Sequence, residues 1–117
     1  MASKKLPEII ELKPFKLKIG GLTWQVVFED KLVDDNDNPL CGCCDADRYL
    51  ISIQKNMMMV TTRTTFYHEL GHAFLSAVSN GNDKLEEEHV AELVGRGFNE
   101  LLAQKRKLPA WLFEGIS

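Results

Sequence analysis

Thr61-Thr62-Arg63-Thr64-Thr65-Phe66-Tyr67-His68-Glu69-Leu70-Gly71-His72-Ala73-Phe74-Leu75-Ser76-Ala77-Val78-Ser79 carries one helical period from end to end. Phe66, Leu70, Ala73, Phe74 and Ala77 recur at three- and four-residue spacing, and no proline interrupts them. Thr61, Thr62 and Thr64 offer hydroxyls for an N-cap. Asn80-Gly81-Asn82-Asp83 supplies a stop. The stretch predicts a helix over 61–79.

Upstream the period changes from helical to alternating. Phe15, Leu17 and Ile19 alternate with Lys16 and Lys18, Gly20-Gly21 follows, and Trp24, Val26 and Phe28 resume the alternation. Two alternating runs around two glycines predict a β-hairpin with one apolar face. Arg48 to Ile53 reads as a third strand. Between them, 34–39 is a polar Asp/Asn loop closed by Pro39. It lacks the glycine and closing glutamate of an EF-hand, so a solvated turn is expected. Met57-Met58-Met59 reads as core filling or loop, because consecutive side chains on any regular element diverge. A second helix is expected over about 84–105, and an aromatic anchor over 108–113. Strands first and helices after predict an α+β domain. It is a small antiparallel or mixed sheet, hairpin plus third strand, packed against two helices. One domain over 1–117 is expected, with 1–13 a flexible N-terminal segment.

Within the first helix, His68-Glu69-Leu70-Gly71-His72 reads H-E-x-x-H. Residues four apart share a helix face, so His68 and His72 can turn two imidazoles to one metal ion. Glu69 is then placed to act as a base on a water activated at that metal. The chain's three histidines all fall between 68 and 89, a clustering that packing alone does not require. One Zn2+ per chain is the expected cofactor, because two imidazoles with a carboxylate suit zinc.

A third protein ligand is needed. The H-E-x-x-H-x-x-G-x-x-H solution is excluded, because Leu75 and Val78 occupy the glycine and last histidine positions. The other solution is a glutamate on the next helix, and Glu86-Glu87-Glu88-His89 stands at its start. Ala91 and Gly95 follow Glu88 at the same-face spacings, as a close helix–helix approach would require. Glu92, four residues on, could accept a hydrogen bond from a ligand histidine. Glu88 is therefore the expected third ligand, with Glu87 and His89 as alternatives. His89 and Tyr67 are candidate donors to a transition state.

Tyr49-Leu50-Ile51-Ser52-Ile53, then Thr64-Thr65-Phe66-Tyr67-His68-Glu69-Leu70-Gly71-His72-Ala73-Phe74, then Glu88-x-x-Ala91-Glu92-x-Val94-Gly95 resembles the ImmA/IrrE-type metallopeptidases. These are compact, gluzincin-like proteins of bacteria, phages and other mobile elements. The resemblance spans roughly 43–102. Val94 and Gly95 stand where that pattern has phenylalanine and alanine. It implies a zinc metalloendopeptidase that cuts a cytoplasmic repressor or regulator. Two other functions fit the same residues. One is a zinc-stabilised binding or inhibitor protein acting on a host factor without catalysis. The other is a DNA-associated protease, against which the net charge of −3 counts.

That charge makes nucleic acid an unexpected direct ligand, and Lys105-Arg106-Lys107 reads as cations complementing a helix C-terminus. No run approaches a membrane span, and the polar start of the chain lacks a signal peptide's apolar run, so a cytoplasmic protein is expected. Cys41, Cys43 and Cys44 lie within four residues, a poor disulfide framework and a poor zinc pattern, so free thiols are expected. A protein or peptide substrate is the expected partner, and oligomeric state is not legible.

Overall fold

The computed structural model describes residues 11–79 and 87–114, with 78–79 and 87–93 by backbone alone. Strands β1 (Phe15–Ile19) and β2 (Leu22–Glu29) form the expected hairpin. Gly20 and Gly21 have φ of 59° and 80°, the positive values that a two-residue turn matched to strand twist requires. The turn sets the register Ile19↔Leu22, which carries Leu17, Ile19, Trp24, Val26 and Phe28 to one buried face.

The sheet has four strands where three were expected. The expected third strand is β4 (Leu50–Gln54), and an additional strand, β3 (Gly42–Asp45), precedes it. The order is β1-β2-β4-β3, with β2 parallel to β4 and the other pairs antiparallel. The sheet is therefore mixed, and β3 is an edge. Before β3, Asp34 accepts hydrogen bonds from the Asn36 and Asn38 amides at 2.8 and 2.9 Å and from the Asn38 side chain at 3.1 Å. The Asn38 backbone bond and then its side-chain bond hold the Asp34 carboxyl below its ordinary range. The loop consumes its own acidic oxygens, as a turn does.

Helix α1 (Met59–Ser79) starts two residues before the expected Thr61. The threonines do not cap it. Thr62 and Thr64 donate their hydroxyls back to the Met58 and Val60 carbonyls at 3.2 and 2.8 Å, a bond made inside a helix. Thr62, Phe66, Leu70 and Ala73 are buried. Met58 is exposed, whereas Met57 and Met59 pack partly on the core. The Asn80–Asp83 stop lies outside the described residues.

Helix α2 (Glu87–Ala103) ends before the expected Lys105, and Lys105–Lys107 forms a separate 3-10 turn. The break frees Gln104, whose amide accepts from Lys18 N–H at 2.6 Å and donates to the Lys18 carbonyl at 2.8 Å. One side chain thus pairs with the β1 edge as a neighbouring strand would. Residues 84–86, in the expected start of this helix, lie outside the described residues.

The C-terminal anchor closes the core. Trp111 packs edge-on against Phe15, Phe28 and Phe66, with centroids 6.0–6.4 Å apart. Arg63 and Tyr67 on α1 donate to the Trp111 and Leu112 carbonyls, both at 2.8 Å. Each fully buried large apolar side chain contributes roughly 1.5–3 kcal/mol. The helices cover one sheet face, an α+β fold. Leu12 packs partly on the core, and 1–10, most of the segment expected to be flexible, lie outside the described residues. No helix among the described residues is long and apolar enough to cross a membrane.

Candidate metal centre

The expected helix brings His68 and His72 together. They stand one turn apart on α1, both exposed, with Nε2 atoms 3.2 Å apart and rings inclined at 80°. Two imidazoles on a tetrahedral zinc, each bonded at about 2.0–2.1 Å, hold their nitrogens about 3.3 Å apart. The observed separation fits that donor set. Ligand atoms of His68, Glu69 and His72 all lie within 4.8 Å of one another, so this group could hold a metal ion.

Glu69 sits differently from its neighbours. A step of one residue turns a helix by about 100°, which points Glu69 away from His68 and toward the sheet. It is 7% exposed, against the open surface of both histidines. No described residue donates a hydrogen bond to its carboxylate. Its stem lies instead against Gly42 of β3, where an added Cβ would stand 3.0 Å from Glu69 Cγ.

Glu69 and His72 line an open cavity of about 400 Å³ with Cys44, Ala46 and Ser76. Burial, and next the Glu69 carboxylate, push the Cys44 thiol up to about 11. The same two causes, in the same order, raise Cys43. All three cysteines are free. Both thiols beside the cavity are thus held in the neutral form, the opposite of an activated thiolate.

Two cavity residues were missed in the sequence. Ser76 was readable, being four residues beyond His72 on the same helix face. Ala46 was not, because the strand it follows has no readable period.

Tyr67 donates its hydroxyl to the Leu112 carbonyl, and burial raises its pKa against the opposing pull of Arg63. That bond ties α1 to the C-terminal anchor. A Cβ at Gly97 would stand 2.7–2.8 Å from the Phe74 ring, whereas Gly95 has nothing within 4 Å. The side chains of Glu87, Glu88, His89 and Glu92 lie outside the described residues. No family model, no curated protein and no solved structure matches the chain.

Proposed function

We propose that the chain is a zinc metallopeptidase that hydrolyses a peptide bond in a protein substrate. One observation carries the reading: two imidazole nitrogens 3.2 Å apart, with a buried glutamate between them in sequence that shares a cavity with His72. His68 and His72 would hold the metal through Nε2. Glu88 would complete the set on the strength of its motif, with Glu87 and His89 as the alternatives. Bound zinc supplies Lewis-acid polarisation of the scissile carbonyl and an activated water at neutral pH.

The remaining work falls to the chain. Glu69 takes a proton from the attacking water on a carboxylate oxygen and delivers it to the departing amine nitrogen. His89 remains the candidate donor to the developing oxyanion, and Glu92 the acceptor that would orient a ligand imidazole. A repressor or regulator in the cytoplasm is the substrate class the ImmA/IrrE resemblance implies.

The test is metal content and hydrolysis measured together. Wild type should bind one zinc per chain. Glu69→Gln should keep the zinc and lose cleavage, and Glu88→Ala should lose zinc affinity. Cleavage by Glu69→Gln at the wild-type rate would refute the assignment of the base. A biological effect that survives Glu69→Gln would move the reading to a zinc-stabilised binding protein.

A further inference from the structure

Glycine in a strand has no side chain to pack and often marks a site where another element approaches the backbone closely. Gly42 is the first residue of β3, paired with Ile53 of β4. Unlike Gly20 and Gly21, it does not have positive φ, so its backbone conformation is open to any residue. Space is what it supplies. A Cβ at 42 would stand 2.6 Å from Thr65 Cγ2, 3.0 Å from Glu69 Cγ and 3.5 Å from Glu69 Cδ. Thr65 and Glu69 are one turn apart on α1, so the bare Cα seats one helical turn against the edge strand.

Glu69 accepts no hydrogen bond from a described residue, so among the described residues its place is set by packing. Gly42 is part of that packing, facing the Glu69 stem. We infer that Gly42 is a positioning residue for Glu69: the missing side chain at 42 fixes the carboxylate's place in the cavity. The inference rests on the metallopeptidase reading, in which Glu69 is the base. The atoms nearest a Cβ at 42 belong to Thr65 and Glu69 and to neither histidine, so a change at 42 meets the base before the metal donors.

The clash has two separable parts. Gly42→Ala meets both Thr65 and Glu69. Adding Thr65→Ser deletes the methyl carbon at 2.6 Å and leaves the contact at 3.0 Å with Glu69. Four proteins are compared: wild type, Gly42→Ala, Thr65→Ser and the double variant. Each is assayed for zinc content, melting temperature, and kcat and KM on an internally quenched peptide. That peptide is selected by the zinc-loaded wild type from a randomised pool.

Misplacing a catalytic group by about 1 Å costs on the order of a hundredfold in rate. Gly42→Ala should lose roughly that in kcat while zinc content and KM hold. Thr65→Ser should match wild type. The double variant should regain melting temperature and keep the kcat loss. Wild-type kcat in Gly42→Ala overturns the inference, and so does a double variant that regains kcat along with melting temperature. A zinc-loaded wild type that cuts nothing in the pool overturns the metallopeptidase reading itself, and the role of Gly42 falls with it. The two failures are told apart by whether wild type cleaves.

Discussion

Zinc should raise the melting temperature of this chain, and a single substitution at His72 should remove the effect. On the proposed reading the donors are the two Nε2 atoms 3.2 Å apart, a separation that exists only while α1 is helical. Unfolding would dismantle the pair, so zinc would bind the folded state selectively. A ligand at a hundredfold excess over its Kd then stabilises by about 2.7 kcal/mol. A chain of 117 residues has an unfolding entropy of roughly 0.25 kcal/mol/K at about 2.1 cal/mol/K per residue. The two figures give a rise of about 11 °C. The assay is scanning calorimetry of metal-free protein, with and without added zinc, for wild type, His68→Ala, His72→Ala and Ser76→Ala. Ser76 lines the same cavity but is no zinc donor of the expected set, so its variant should keep the rise. Each histidine variant should retain a small fraction of it. A wild-type rise below about 2 °C under these conditions, or equal rises in wild type and both histidine variants, would show that the pair is not a metal site.

Two further outcomes follow from the packing. Trp111→Ala removes an indole that is 5% exposed and meets three aromatic rings, so it should cost about 3–5 kcal/mol in urea unfolding; a loss under about 1 kcal/mol would mean the tail does not close the core. Cys44 has its thiol pushed up to about 11 from 9.0, so at pH 8 its alkylation by iodoacetamide should be roughly tenfold slower than in urea-unfolded chain, the loss of thiolate being partly offset by greater nucleophilicity. The sign is that of a raised pKa: the fold's preference for the neutral thiol is complete below 9.0 and is lost as pH rises through about 11, so the rate should climb over that window. Equal rates for folded and unfolded chain at pH 8, read by mass spectrometry, would contradict the burial of Cys44.

The elements that were legible in the sequence are those whose side chains must alternate or recur to reach the core. β1, β2 and β4 bury every second residue, and Gly20-Gly21 announces their turn. α1 shows its period over 19 expected residues of the 21 observed. β3 escaped because an edge strand of four residues need bury little, and Gly-Cys-Cys-Asp has no alternation to find. The true end of α2 escaped because Gln104 is an ordinary helix former, and only the β1 edge beside it gives its amide another use. Of the centre, the spacing of His68 and His72 was readable because both belong to one helix. The contacts of Glu69 and Tyr67 were not, because their partners Gly42 and Leu112 lie 27 and 45 residues away.

The division of labour inside His68-Glu69-Leu70-Gly71-His72 depends on what flanks the helix. A free helix with this sequence would expose the glutamate as fully as the histidines, in water that would screen it. Here the turn of about 100° between His68 and Glu69 leaves the His68 imidazole on the open surface and brings the glutamate to β3, while His72 borders the cavity between them. That turn is useful only if a strand stands on the glutamate side and leaves room for it. β3 meets both conditions, being an edge strand with a glycine where the side chain would collide. Had β3 carried a valine at 42, the same five-residue motif would sit on the same helix with its glutamate displaced. The motif therefore supplies three side chains, and the edge strand supplies the environment in which the glutamate differs from the two histidines.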